Sequence, residues 1–86
     1  MSDKELQQIE KALSLVSNEV FATVMQTYLD NYGLDMEITR DNCVDFLENI
    51  YNFQSAEEDI DFEYFYDVLT TFIRNTLYDM MSLYQD

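Results

Sequence analysis

The chain has 86 residues, with 18 Asp and Glu against four Lys and Arg, so its formal charge is −14 at pH 7. Hydrophobic residues make up 48% of it, including seven Tyr and six Phe. An acidic chain with this many aromatic residues can bury a core, so the composition argues against a disordered protein. Four basic residues cannot hold nucleic acid against such a charge, and direct nucleic-acid binding is excluded. A small folded domain with a negative surface instead implies a basic protein as partner.

Catalytic and metal-binding constellations are missing from the sequence. Histidine is absent, which removes the commonest general base and the commonest metal ligand. The spacing of Asp59, Asp61 and Glu63 matches the start of a calcium loop. However, Tyr64 stands where that loop needs Gly, and Thr70 stands where it needs a bidentate Glu. We therefore predict no catalytic residues, no metal and no cofactor, and we expect that the protein is not an enzyme.

The first predicted helix covers about 3–32. Ser2 followed by Glu5 three residues later forms a capping box at its start. Gly33, the single glycine, stands where a left-handed residue would end the helix. Apolar residues recur every three or four positions and predict one buried face, formed by Leu6, Ile9, Leu13, Val16, Val20 and Val24.

The second predicted helix covers about 40–53, after a connector with no clear period. Either Thr39 or Asp41 could cap its start, since both residue types are suitable N-caps. Its predicted apolar face consists of Cys43, Val44, Leu47, Ile50 and Tyr51.

The third predicted helix is the longest and covers about 56–83. Ser55 and Glu58 have the spacing of a second capping box, which predicts that the helix opens there. A broad apolar stripe follows, formed by Phe62, Phe65, Leu69, Phe72, Ile73, Leu77 and Met80.

The three segments together predict an all-α fold, a small three-helix bundle forming a single acidic helical domain over 1–86. Ile38, Val44 or the aromatic run 62–66 could instead pair as strands, although the two capping boxes favour helices. Cys43 is the only cysteine and is expected to be a core residue. A lone cysteine, no signal peptide and no apolar stretch of membrane-spanning length suggest a cytoplasmic protein without a membrane role.

The acidic residues concentrate in three places, one of which is the connector, with Asp30, Asp35 and Glu37. Asp41, Asp45 and Glu48 belong to the second predicted helix, whereas the start of the third carries Glu57, Glu58, Asp59, Asp61, Glu63 and Asp67. Carboxylates in a first helical turn favour the macrodipole, which would account for 57–59. The pairs 57/61, 59/63, 63/67 and 41/45 are like charges four residues apart, and each costs roughly 0.2–0.5 kcal/mol on a helix. No lysine is placed to offset this cost in stability, which indicates that the acids serve binding.

The predicted partner-binding residues are these nine acids together with Tyr64 and Tyr66, because tyrosine anchors protein interfaces well. Acids four apart on a helix are about 6 Å apart along its axis, and stripes on two helices could approach the phosphate density of DNA. In its size, negative charge and abundance of Tyr, Asp and Asn, the chain resembles the small acidic proteins by which phages and mobile elements block restriction, CRISPR or repair enzymes. That resemblance implies an inhibitor that mimics DNA, occupies a nucleic-acid-binding protein and acts in the host cell cytoplasm if phage-encoded.

Two other interpretations stay open. The chain could be a cognate antitoxin, immunity protein or secretion chaperone covering one basic partner, with Phe62, Phe65 and Tyr66 as apolar anchors. It could also be an assembly subunit whose charge serves solubility alone. A homodimer is left open as well, since it would bury more apolar surface in each small chain.

Overall fold

The computed structural model describes residues 1–84, and those residues form four helices and no strand. The helices are α1 (Asp3–Ser14), α2 (Asn18–Tyr32), α3 (Cys43–Glu58) and α4 (Phe62–Tyr84). α2 packs most extensively on α4, while α1 lies against both α3 and α4. The predicted all-helical class is therefore confirmed, but the prediction of three helices is wrong within the described residues.

The predicted helix over 3–32 is two helices, interrupted between Ser14 and Asn18. Ser17 is extended, with φ −68° and ψ 163°, the same conformation as Ser2 at the start of α1, and it caps α2.

 The backbone N–H of Val20 donates to the Ser17 hydroxyl oxygen, with an N···O distance of 3.2 Å. A capping serine in the middle of the apolar stripe therefore divides the predicted helix in two.

The two predicted ends of this region are confirmed. At the start of α1, the Glu5 backbone N–H donates to Ser2 Oγ at 3.2 Å, and the Ser2 N–H donates to Glu5 Oε1 at 2.9 Å. At the end of α2, Gly33 adopts the left-handed conformation with φ 63°, which a residue with a side chain rarely adopts. The Leu34 N–H then donates back to the Leu29 carbonyl at 2.9 Å, which closes the helix end.

α3 starts later and ends later than the predicted 40–53. Neither Thr39 nor Asp41 caps it, because Asn42 holds the N-cap position and makes no side-chain cap hydrogen bond. The Asn42 side chain instead accepts the Thr39 backbone N–H at 2.7 Å, so it stabilises the turn that leads into the helix.

The start of the third predicted helix, over 56–83, is also wrong. Ser55 and Glu58 lie in the last turns of α3 and do not open the next helix. Asp61 caps α4, since its carboxylate accepts the backbone N–H of Tyr64 at 2.9 Å. The boundary between the last two helices therefore lies several residues beyond the predicted position.

The core takes residues from all four helices, and its aromatic centre is Tyr28. The Tyr28 ring meets Phe72 edge-on at 5.1 Å between centroids and Phe46 edge-on at 6.4 Å, an arrangement favoured for aromatic pairs. Cys43 is buried as expected, and burial raises the pKa of its thiol. The buried apolar residues are Ile9, Leu13, Val20, Phe21, Val24, Met25, Tyr28, Leu29, Cys43, Phe46, Leu47, Ile50, Phe65, Leu69 and Ile73.

One arginine joins the interrupted helices to the connector before α3. The Arg40 guanidinium donates to the Leu13 carbonyl at 2.6 Å and to the Val16 carbonyl at 2.9 Å. It also donates to Asn18 Oδ1 at 3.1 Å and lies 4.3 Å above the centre of the Phe21 ring. Positive charge beside the last carbonyls of a helix is favourable, so Arg40 stabilises the end of α1, and its hydrogen bond to Asn18 connects that end to the start of α2.

The Tyr28 hydroxyl is buried without a hydrogen-bond partner among the described residues. Its side chain is 2% exposed. Burial, and secondarily the nearby Tyr32, raise the pKa of Tyr28 well above its ordinary value of 10.0. A buried polar group without a partner is destabilising, so this hydroxyl weakens the core that its ring helps to form.

We predict that Tyr28→Phe raises the free energy of unfolding by about 1–2 kcal/mol, because it removes that unsatisfied hydroxyl. Above about pH 10 the advantage should grow. Tyr28 ionises in the unfolded chain at its ordinary pKa but stays neutral in the fold, so the wild type loses stability as the pH rises. Urea denaturation at pH 7 and pH 10.5 measures both effects. Tyr32→Phe is the control and should show no gain at pH 7, because the Tyr32 hydroxyl accepts a hydrogen bond from Gln54.

We predict that Arg40→Gln lowers the free energy of unfolding by about 2 kcal/mol, since it removes charge-assisted hydrogen bonds to helix-end carbonyls. Arg74→Gln is a matched control with the same change in charge, and Arg74 donates only to Thr71 Oγ1 among the described residues, at 3.4 Å. Circular dichroism in urea measures both variants. Equal losses would contradict a special role for Arg40 and point to net charge alone.

Candidate partner-binding surface

The densest group of acids spans the boundary between α3 and α4. We call residues 57–67 the acidic segment, which contains Glu57, Glu58, Asp59, Asp61, Glu63 and Asp67 and no Lys or Arg. All six acids are exposed. The one ion pair within residues 1–84 joins the Met1 α-amino group to Glu48 at 3.6 Å, so no acid of the segment is ion-paired there. The acidic segment therefore presents six carboxylates without ion-pair partners to solvent.

The helix macrodipole does not explain the acids at 57–59, contrary to expectation. Glu57 and Glu58 lie in the last turn of α3, and Asp59 is its C-cap. Carboxylates at the carboxyl end of a helix face the negative pole of its dipole and are unfavourable there. Asp59 also adopts a left-handed backbone conformation, with φ 55°. The local structure is thus destabilised by acids that a neutral or basic residue could replace.

The helical spacing of the acids is also less regular than predicted. Glu63 and Asp67 lie four residues apart in α4. The pairs 57/61 and 59/63 cross the break between α3 and α4, and 41/45 begins before α3. The predicted stripe of acids at a fixed helical spacing is therefore wrong, and the acidic segment forms a patch around a helix junction.

A groove between α1 and α4 brings part of the acidic segment together with two tyrosines. The turn before α4 lines it with Asp61, and α4 itself contributes Glu63, Tyr64, Tyr66, Asp67 and the cation Arg74. Tyr64 is 57% exposed, whereas Tyr66 is half-buried. From the other side, the groove is lined by the start of α1, which contributes both signs of charge through Lys4 and Glu5. The groove can therefore offer both carboxylates and an aromatic contact to a partner.

The acids of the second predicted helix have different neighbours. Asp41 is exposed in the turn that precedes α3. Asp45 lines a separate groove on α3, and Glu48 pairs with the Met1 α-amino group. The structure thus gathers the acids of 57–67 but assigns Asp45 and Glu48 to separate contacts.

Three exposed apolar residues were missed by the sequence analysis. Leu34, Met36 and Phe53 are 42%, 48% and 60% exposed, and with Tyr32 they line a groove between the connector and α3. We call this the apolar groove. Its sequence signal was the alternation of apolar and acidic residues over 34–37, in a connector without helical period.

The apolar residues predicted as anchors are less accessible. Phe65 is 1% exposed and belongs to the core, so it cannot contact a partner in this fold. Phe62 and Tyr66 are half-buried against each other, with 5.7 Å between their ring centroids. Leu77, predicted for the buried stripe, is instead 41% exposed.

The described residues also bear on metal and membrane chemistry. In residues 1–84, no three His, Cys, Asp or Glu side chains are grouped so that they could hold a metal ion. None of the described helices combines the length and apolarity needed to cross a membrane.

Comparison with protein-family models, with curated proteins and with solved structures found no match to this chain.

We predict that Asp59→Gly stabilises the protein by roughly 1 kcal/mol or more, because glycine adopts the left-handed conformation without steric cost and removes a charge from the end of α3. Asp59→Asn removes the charge but keeps a side chain that tolerates this conformation, so it should stabilise less. Thermal unfolding at low and high salt measures the two contributions, since salt screens only the charge. A destabilised Asp59→Gly variant would contradict this account of the turn.

Proposed function

We propose that this protein is an acidic inhibitor that binds a basic surface of a nucleic-acid-binding protein and excludes nucleic acid from it. The observation that supports this most is the acidic segment, with six exposed carboxylates and no cation within 57–67. Such a surface attracts positively charged partners over about 10 Å at 0.1 M salt. The resemblance to acidic phage and mobile-element proteins suggests restriction, CRISPR or repair proteins as the target class.

Solubility alone explains this surface less well. A surface that serves solubility normally mixes both signs of charge. Here Glu57, Glu58 and Asp59 occupy the carboxyl end of α3, where acids oppose the helix dipole. Acids at a position that weakens the fold support a role in binding.

The proposed competition depends on local charge density and not on a phosphate-by-phosphate copy of DNA. The acids come from two helices that meet at the turn between Glu58 and Phe62, and their patch is irregular. Tyr64 stands among them and is 57% exposed, so it can add an apolar contact to the charge interactions. A cytoplasmic location goes with this proposal, because the proposed targets act on nucleic acid inside cells.

A dedicated complex with one basic partner is the second candidate, as for an antitoxin, an immunity protein or a secretion chaperone. The apolar groove favours it, because Leu34, Met36 and Phe53 are all exposed. Apolar contacts hold a complex at salt concentrations that weaken exposed charge pairs. Resistance to salt therefore separates the two candidates.

We predict that neutralising the acidic segment abolishes binding to DNA-binding proteins. The variant carries Asp59→Asn, Asp61→Asn, Glu63→Gln and Asp67→Asn. The Asp61→Asn change keeps a residue type that can still cap α4. The matched control makes the same change in charge at exposed acids elsewhere, through Asp3→Asn, Glu10→Gln, Glu19→Gln and Asp79→Asn.

The measurement is a pull-down from a bacterial lysate, washed with rising salt and then challenged with duplex DNA. The wild type and the control should capture DNA-binding proteins that salt or the duplex releases, and the segment variant should capture none. Equal capture by both variants would show that the acidic segment is not the binding site. One tight partner that resists both treatments would favour the dedicated complex, and no capture at all would leave solubility as the role of the charge.

A further inference from the structure

The apolar groove has the size and lining of a site for apolar side chains. Its volume is about 420 Å³, and its apolar wall consists of Tyr32, Leu34, Met36, Phe46, Ile50 and Phe53. Ligand sites are typically concave, mostly apolar and lined by a few polar groups. Here the polar groups are Asn42, Asp45 and Asn49.

Negative charge borders this groove, and no Lys or Arg lines it. Asp45 lies in its lining, and Asp35 and Glu37 are exposed neighbours of Leu34 and Met36 in the connector. The cations of the chain lie along other grooves, with Lys11 and Arg40 between α1 and the start of α3, and Lys4 and Arg74 between α1 and α4. An occupant of the apolar groove therefore meets apolar walls and an acidic rim.

The apolar groove is also close to the acidic segment. Tyr32 forms part of its wall, and the Tyr32 hydroxyl accepts a hydrogen bond from Gln54 of α3. α3 runs without a break from Phe53 in this wall to Glu57, four residues or about 6 Å further along its axis, so the groove and the acidic segment adjoin on one helix. A single partner can therefore cover both surfaces.

We propose that the apolar groove binds a basic amphipathic helix of the partner, with apolar side chains in the groove and Lys or Arg beside its acidic rim. This rests on the proposed function in that the partner is basic, a feature that the dedicated complex shares, and it specifies the chemistry of that partner's surface. Asp45, Asn49 and Phe53 follow one another at four-residue intervals along α3 and span about 12 Å. That length matches about two turns of a docked helix, which presents anchors at i, i+4 and i+7. A second copy of the chain is a poor occupant, because each copy carries a charge of −14.

The test uses the full chain and two synthetic probes. One is a 14-residue helical peptide of Leu and Lys, with Leu at i, i+3, i+4 and i+7, and the other is poly-lysine, which carries charge without apolar anchors. The groove variant is Met36→Gln with Phe53→Gln. The matched control is Met81→Gln with Tyr78→Gln, which removes a similar pair of exposed apolar residues from α4. Met81 is 58% exposed and Tyr78 is 77% exposed.

We expect the Leu–Lys peptide to bind the groove variant at least tenfold more weakly than the wild type, and the control variant with unchanged affinity. Amide chemical shifts measured by NMR should change at Leu34, Met36, Asn49 and Phe53 with this peptide. Poly-lysine should bind the groove variant and the wild type alike. Circular dichroism checks that both variants keep the helical fold, as expected for substitutions at exposed positions.

Several outcomes would overturn the groove proposal, and they can be distinguished from failure of the proposed function. If the peptide binds the groove variant and the control equally, the groove is not its site, whereas the acidic segment remains testable by the neutralised variant. If the groove variant converts a dimer of the wild type into a monomer in sedimentation, a second copy covers the groove. If neither probe binds the wild type, both the groove proposal and the proposed function fail.

Discussion

The contacts of Arg40 determine how the first half of the fold is held together. Its guanidinium meets the carbonyls of Leu13 and Val16, the side chain of Asn18 and the ring of Phe21. These partners belong to the end of α1, the linker and the start of α2. The contacts therefore fix the angle between α1 and α2, which the short linker alone would leave free. Together with the burial of Ile9 and Leu13, this junction holds α1 against α3 and α4, and the groove that contains the two tyrosines of α4 exists only with α1 in that position.

Opposing forces act on the rest of the chain. The aromatic core around Tyr28 brings the helices together, and its edge-on contacts with Phe46 and Phe72 join α2 to α3 and α4. Repulsion among exposed carboxylates acts against compaction. The repulsion is greatest where α3 meets α4, at some distance along the chain from the Arg40 junction. The aromatic core is thus strong enough to tolerate the repulsion among the exposed acids.

Features determined by local chemistry could be predicted from the sequence, including the helical class, the Ser2 capping box and the end of α2 at Gly33. The break at Ser17 could not, because the apolar period continues unchanged across it. The Ser55 pattern was misleading because a serine and a glutamate at this spacing also occur inside a helix. For the candidate site, the positions of the acids were evident, but the apolar groove was not. Met36 meets α3 only after the connector has folded back, a contact that no local pattern encodes.

The left-handed turn at Asp59 has an evolutionary consequence. A single nucleotide change converts an aspartate codon into a glycine codon, so a turn without steric cost is one mutation away. Proteins drift readily among sequences that stay above their stability threshold, and nothing in the backbone at this position resists glycine. An acid at position 59 is therefore what selection for a negative surface would favour over the more stable glycine.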